Sequence, residues 1–394
     1  MQRGRHLGIL IFHSRSATLS RPGNKANWGE PPWKVDFHPA KQSVPQEVDF
    51  AVVGGGFTGL ATAAWLRRLA PDKSVALFEA GSLGSGSSGH TGGIALAETA
   101  AGDLPGLGDV LRGYSEILDA LQVDCDLALP GVWEIGRNGG LADSPISWKD
   151  SGKLSAVRLV PGGSVNPGKL VAGLARAAEH LGGRIFEMTR VQNIVFGSPL
   201  RLEAGGKQVT AGKVLLATNA MSLELNGLVG HAEPKFTLAL ATAPLSAGDI
   251  EKLGLASGKP FYTIDLPYLW GRVLETNRVV FGSGLVHLNG WRDLEALDIE
   301  AGEAAELMAR LEARVRGLHP VLQSVEITHR WGGPILIAEQ WQPVFARHPR
   351  SPDALVLGAY SGHGVALSVY LGRWAAEGML GRKKLPDWES AGQE

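Results

Sequence analysis

Val48-Asp49-Phe50-Ala51-Val52-Val53-Gly54-Gly55-Gly56-Phe57-Thr58-Gly59, followed by helix-like sequence from Leu60 to Leu69, is the stretch from which the rest of the chain can be read. An almost unbroken apolar run reads as a buried strand, the glycine cluster as a tight turn, and the alanine- and leucine-rich continuation as a helix. Gly54-x-Gly56-x-x-Gly59 fits the dinucleotide fingerprint in the place that fingerprint requires. The first glycine permits the turn, the second lets backbone approach a pyrophosphate, and the third lets helix and strand pack, while the helix N-terminus offers free N–H groups to the phosphates. Pro71-Asp72-Lys73 closes the helix, and Ser74 to Phe78 reads as a second buried strand leading to Glu79, 20 residues beyond Gly59. A carboxylate there suits ribose hydroxyls. A glycine-rich surface turn beside an unrelated Glu is the plain alternative, and the ordered set of strand, turn, helix, strand and acid weighs against it.

Working outward, Asn166 to His180 reads as a helix behind Pro167, Val209 to Thr218 as a strand, and Glu300 to Leu318 as a long amphipathic helix. Ala354 to Leu357 followed by Val365 to Leu380 forms a last strand and helix, and Phe236 to Thr242 and Arg278 to Gly282 alternate as antiparallel strands do. The 394 residues are 44% hydrophobic and 20% charged, which marks a globular chain with room for two domains. Lys+Arg of 38 against Asp+Glu of 39 removes the basic footprint of a nucleic-acid or anionic-membrane binder. A small-molecule partner is expected instead. Cys125 is the single cysteine, so no intrachain disulfide and no cysteine-rich metal site can form, and a reducing cytoplasmic setting is compatible. Scattered His231, Glu233, His329 and Glu339 have no close metal-ligand spacing, and no metal is expected.

Residues 1–47 read as an extended arm, with Arg3, Arg5, Arg15 and Arg21 and a proline-rich stretch through Pro31, Pro32, Pro39 and Pro45. The apolar run Leu7 to Phe12 is too short for a secretory signal or a membrane span. An organelle transit segment and a start codon placed too far upstream are alternative readings of the same composition.

The fingerprint alone does not separate nicotinamide from flavin, since both carry an adenosine diphosphate half. A second cluster bears on the choice. Ala80-Gly81-Ser82-Leu83-Gly84-Ser85-Gly86-Ser87-Ser88-Gly89-His90-Thr91-Gly92-Gly93 is a loop of small residues able to follow a pyrophosphate toward a second ring system, or else a flexible linker. Together with Gly358-Ala359-Tyr360-Ser361-Gly362-His363-Gly364-Val365, Asn166 to Leu170 and Leu216 to Ala220, it resembles the FAD-dependent amine and amino-acid oxidoreductases of the D-amino-acid oxidase superfamily. The nearest branch by motif is that of γ-glutamylputrescine oxidase-like proteins.

The resemblance, which covers about Trp28 to Leu380, implies an α/β fold of the glutathione reductase type, with a Rossmann-like FAD-binding domain and a smaller antiparallel-sheet substrate domain. The expected division is 48–230 mainly FAD-binding with an excursion near 131–160, 231–325 mainly substrate domain, 326–382 a return to the FAD-binding domain, and 383–394 a tail. The cofactor residues it implies are Gly54, Gly56, Phe57, Thr58, Gly59, Glu79, Ala80, Ser87, Ser88, Gly89, His90, Thr91, Gly92, Gly93, Val191, Ala217, Thr218, Gly362, His363, Gly364 and Val365. A helix starting near Gly364 would aim its positive end at a reduced flavin, and a protonated His363 would reinforce that field. The alternative for His363 is a polar turn residue. His90 stands where γ-glutamylputrescine oxidase-like proteins often carry Arg, in a context similar to that of dimethylglycine and sarcosine dehydrogenases, whose His is bonded to the flavin 8α-methyl group. His90 is therefore a candidate covalent anchor, with a noncovalent contact as the other reading.

For substrate, Tyr268 and Trp270 offer an aromatic wall, Arg272 and Arg330 offer carboxylate partners, and Tyr360 closes the pocket beside the flavin. His363, Tyr360 and Arg272 are the residues expected at the chemistry. Ser361 and His363 lie outside any nucleophile elbow. The expected reaction is oxidation of a small amine, amino acid, N-alkyl amino acid or polyamine derivative by hydride transfer to flavin N5, then imine hydrolysis, with O₂ or another acceptor taking the electrons. A dehydrogenase of a 2-hydroxy acid or polyol, which would need a base for its O–H proton, and a noncatalytic flavin-binding subunit are the alternatives. No lysine is assigned to oxygen activation, and Lys235 is only a sequence neighbour of the substrate region. Oligomeric state is not legible.

Overall fold

A computed structural model of the chain describes residues 26–137 and 139–388. The arginine-rich start, the Leu7 to Phe12 run and the last residues of the tail lie outside the described residues. The strand Glu47–Val53 pairs in parallel with Val75–Phe78 on one side and Lys207–Leu216 on the other. Arg184–Phe186 and Ser351–Gly358 extend this parallel sheet at its two ends, with Val344–His348 added antiparallel at the edge. Strand order reverses between Glu47–Val53 and Lys207–Leu216. A crevice opens at such a point, beyond the carboxyl ends of the strands, and ligands of open α/β sheets bind there.

Both faces of this sheet are buried, which is why its strands read as continuous apolar runs rather than alternating ones. Phe50, Val52, Leu77 and Leu215 pack against the helices Phe57–Leu69, Pro167–His180 and Gly364–Met379. Ala51, Val53, Phe78 and Leu216 face the opposite layer. The helix Pro167–His180 starts where Asn166 caps it, its side chain accepting from the N–H groups of Gly168 and Lys169, with Pro167 at the first position.

The second sheet runs in the order Ile327–Ala338, Ala232–Thr242, Val279–Val286, Trp270–Val273, Phe261–Thr263, Val132–Gly136, Lys153–Val160 and Ser147–Lys149. Its pairings are antiparallel except one: Phe261–Thr263 and Val132–Gly136 are parallel. The chain therefore enters this sheet first at 132–160 and returns to it at 232–286 and 327–338.

The arm is extended over its described part, yet it is docked. Asn27 bridges to Asp298 and Gly29 to Trp331, and Trp33 is buried. Its large aromatics, read as part of a proline-rich arm, have a specific seat. At the other end Trp388 is buried with its ring 6.5 Å from that of Trp374.

Candidate active site

The fingerprint turn is built as its residue types require. Gly54 has φ +113°, a region that favours glycine, and a Cβ there would lie 2.5 Å from the Ala217 carbonyl oxygen. At Gly59 a Cβ would come within 1.9 Å of the Gly54 carbonyl oxygen, so only glycine lets the helix sit this close to the strand. Gly56 caps the helix Phe57–Leu69 without a side-chain hydrogen bond, and His363 stands likewise before Gly364–Met379. Neither cap residue covers the first-turn N–H groups of its helix, and of those in the fingerprint helix the Phe57 N–H is taken by the Ser88 hydroxyl. Both N-termini line one cavity of about 1130 Å³, beyond the usual range for a small-molecule site of roughly 300–1,000 Å³. These features fit the pyrophosphate and the redox ring of a dinucleotide.

Of the residues expected at the cofactor, Gly54, Gly56, Phe57, Thr58, Glu79, Ala80, Ser87, Ser88, His90, Thr91, Gly92, Val191, Ala217, Thr218, Gly362, His363, Gly364 and Val365 line this cavity. Gly59, Gly89 and Gly93 do not. Gly59 and Gly89 are instead at close backbone contacts, each against the carbonyl oxygen of a residue five positions earlier. Glu79 accepts from the N–H groups of Gly55 at 2.7 Å and Gly81 at 2.8 Å. Burial raises its pKa above the ordinary carboxylate value, against the opposing effect of those backbone donors.

The loop after Glu79 is no slack linker. Ser87–His90 forms a helical turn, and the Ser88 hydroxyl accepts from the Phe57 N–H at 3.0 Å. Ser87 donates to the Pro334 carbonyl and accepts from Asn219 Nδ2, while Asn219 Oδ1 accepts from the Ala359 N–H at 2.9 Å. Asn219 thereby ties the early loop to the late turn. The late turn is tight, with Ala359 and Ser361 at φ +55° and +51°, and such non-glycine left-handed residues store strain where structure over-determines them.

Behind the loop, three side chains take three of its carbonyl groups. Trp33 Nε1 donates to Gly89 at 2.8 Å, Trp331 Nε1 to His90 at 3.0 Å, and Arg272 Nε to Gly92 at 2.6 Å. They also hold one another: the two indoles meet edge-on at 5.5 Å, and the guanidinium lies 5.7 Å from the Trp33 ring centre. Arg272 is buried here, outside the cavity wall, and burial pushes its pKa down to about 10. Its expected role as a carboxylate partner is thus not met by its position. Arg330 is also turned away, paired with Glu312 at 2.6 Å. Arg272 shares a strand face with Trp270, and what keeps it from the cavity is its hydrogen bond to the Gly92 carbonyl oxygen.

Tyr268, Trp270 and Tyr360 do line the cavity. Trp270 is pressed against Gly92 and Gly282, where a Cβ would lie 2.1 and 2.0 Å from the indole. The Tyr360 hydroxyl pairs with Thr58, and burial raises its pKa. Burial also lowers the pKa of His90 and of His363 below the ordinary imidazole value. Burial thus works against the protonated form of His363 expected from the sequence. His90 Nδ1 lies 2.9 Å from the Gly86 carbonyl oxygen. A carbonyl only accepts, so Nδ1 bears the proton and Nε2 keeps its lone pair.

Cavity residues not foreseen from sequence include Trp28, Glu98, Arg190 and Trp341. Asn219, also in the wall, lies within the Leu216 to Ala220 stretch that carries the family resemblance. Trp28 and Glu98 lie in segments with no periodicity to read. No lysine lines the cavity among the described residues, and Lys235 pairs with Glu233. Cys125 is buried in the core, its thiol pushed up to about 12. The described residues hold no cluster of three or more His, Cys, Asp or Glu suited to a metal.

Two helix N-termini meeting in a crevice of a parallel sheet, beside a second sheet, define a two-domain dinucleotide-dependent enzyme. The chain belongs to the DAO family of FAD-dependent oxidoreductases, whose family model matches residues 49–378. It is similar to γ-glutamylputrescine oxidoreductase of Escherichia coli (strain K12), 28% identical over 376 residues and 84% of each chain. It is also similar to glycine oxidase of Geobacillus kaustophilus, at 24% identity over 84% of this chain and 92% of that one. Among solved structures, glycine oxidase from Geobacillus kaustophilus superposes with a TM-score of 0.65 at 19% identity, covering 86% of this chain and 96% of that one. L-Proline dehydrogenase from P. horikoshii superposes at 0.69 and 17%, covering 87% and 96%. These likenesses between structures establish the fold. No helix among the described residues is long and apolar enough to cross a membrane.

Proposed function

We propose that the protein oxidises the carbon–nitrogen bond of an amine or amino-acid substrate. The observation that carries this reading is the lining of the cavity by Trp270, Tyr268 and Tyr360 together with His90 and His363, whose pKa values burial lowers. FAD, held by the two glycine turns, would supply the two-electron acceptor for the hydride leaving the carbon beside the nitrogen, as the nitrogen lone pair closes the C=N bond. The chain's residues have to hold the amine in its neutral form, aim its C–H bond and exclude water. Aromatic faces and imidazoles of lowered pKa do this without offering the substrate a proton. Water then adds to the imine, releasing a carbonyl compound and an amine or ammonia. Dioxygen or another two-electron acceptor completes the cycle.

Gly54 to Thr58, Glu79 to Ser88, Val191 and Ala217 to Thr218 are the residues we assign to the nucleotide and pyrophosphate, and His90 to Gly92 with Gly362 to Val365 to the redox ring. We assign FAD binding to 48–230, apart from the excursion near 131–160, and to the chain from about 339 to 382; the return expected at 326 comes later, because Ile327–Ala338 is a strand of the second sheet and goes with the substrate-binding part from 231. A single buried thiol is in keeping with a reducing cytoplasm, where we place the reaction. The free lone pair on His90 Nε2 supports attachment of the cofactor through this atom. Precipitation in acid tests that point, because flavin that stays wholly in the supernatant rules attachment out. The reaction itself is tested by anaerobic bleaching of the yellow protein with amines and with 2-hydroxy acids, followed by air. Bleaching by hydroxy acids alone would replace the reading.

A further inference from the structure

Beyond the turn at Gly92 and Gly93, the extended segment starting at Ile94–Leu96 delivers Ile94, Leu96 and Glu98 to the cavity wall, while Ala95 points into the core. Ile94 and Leu96 follow the every-second-residue spacing of a strand, and Glu98 stands on the bend just beyond it. At about 3.3 Å per residue, Glu98 lies at most roughly 13 Å beyond Ile94.

Across from it, Tyr262 pairs with Trp270 on neighbouring strands, and its hydroxyl donates to Glu134 at 2.6 Å. Arg158, which feels the charge of Glu98, has its guanidinium forked onto Glu134. Arg158 is committed to Glu134, and no ion pair joins it to Glu98. Of these two carboxylates Glu98 is the one facing the cavity, and it accepts no hydrogen bond within the described residues. Apolar and aromatic residues of the cavity lining from the same segments are Ile94, Leu96, Ile264, Leu266 and Trp270, beside the uncharged hydroxyls of Thr99, Thr263 and Ser283. Among the described residues the only arginine in the cavity wall is Arg190, which pairs with Glu295 and adjoins Val191.

We propose that Glu98 is the specificity residue of this site, and that the substrate is an amine whose apolar chain ends in a second cationic group held by the Glu98 carboxylate. The assignment rests on the amine-oxidising reading above. A terminal carboxylate would meet the Glu98 charge with no free cation on that wall to receive it, and a like-charge contact disfavours binding. An ammonium would gain a charge-assisted hydrogen bond.

Three compounds of one length test this: 1,8-diaminooctane, octylamine and 8-aminooctanoate. They are given to the FAD-loaded enzyme anaerobically, with flavin bleaching as one readout and calorimetric binding affinity as the other. The diamine is expected to exceed the aminocarboxylate about tenfold in both, as a charged hydrogen bond of about 1.5 kcal/mol implies. Glu98→Gln is expected to bring the diamine-to-octylamine ratio close to one, and Glu98→Lys to invert the order of diamine and aminocarboxylate. Equal or reversed preference in the native enzyme, no measurable binding of the diamine, or a ratio unmoved by Glu98→Gln would overturn the assignment. Selective diamine binding lost in Glu98→Gln, but without bleaching by any amine, would uphold Glu98 as a cation anchor and sink the amine-oxidising reading instead.

Discussion

Thr58 Oγ1 and Tyr360 Oη lie 2.7 Å apart in a buried hydrogen bond that joins positions 302 residues distant in the chain. Thr58 belongs to the first turn of the fingerprint helix and Tyr360 to the turn that precedes the last helix. The bond fixes the separation of the two glycine turns on which the proposed cofactor site depends.

A double-mutant cycle on this pair checks its worth. Tyr360→Phe and Thr58→Val each leave one polar group buried without its partner and are expected to cost about 1–3 kcal/mol in denaturant unfolding. The double variant is expected to cost less than the sum by about 1 kcal/mol. Strict additivity would show that the two hydroxyls do not interact.

Gly59→Ala places a methyl group within 1.9 Å of a backbone oxygen. No side-chain rearrangement relieves that contact, so the helix must withdraw from the strand. The expected result is loss of more than about 3 kcal/mol of stability or of bound flavin, read from thermal melting and from the ratio of visible to ultraviolet absorbance. A variant with native flavin content and native melting would refute the packing role.

Trp33→Phe keeps an aromatic ring but removes the donor to the Gly89 carbonyl. A lost neutral hydrogen bond of about 1 kcal/mol predicts FAD affinity roughly fivefold weaker, with the flavin absorption envelope shifted as the His90 loop loosens. Melting that falls while both the FAD dissociation constant and the spectrum stay fixed would make Trp33 a core residue and nothing more.

Burial lowers the pKa of His90, His329, His348 and His363 below 6.5. Below that pH the unfolded chain takes up more protons than the folded one, so stability falls as pH drops through 6.5 toward the lowered folded values. Glu79, raised by burial, acts in the opposite direction in its own range. The apoprotein's melting temperature is expected to fall between about pH 7.5 and 5.5, and His363→Gln to flatten that slope. A slope identical in the variant would remove His363 from the account.

The order of strand, turn, helix, strand and acid was legible in the chain because each step is local: burial on both faces makes a strand uniformly apolar, and the steric demands of one turn select glycine. The end turn was legible only through its resemblance to a family motif, since Ala359 and Ser361 hold left-handed positions that no local rule assigns to them. What the tertiary structure decided is which side chains share a space. Arg272 and Trp270 are two residues apart on one strand, yet Trp270 lines the cavity while the arginine reaches past it to the Gly92 carbonyl and the Trp33 ring. Trp28 and Trp33 come from a proline-rich arm without periodicity, and Glu98 from an irregular segment. Their places are set by contacts with residues hundreds of positions away, such as Trp331, and no local pattern encodes a partner that only chain folding brings near.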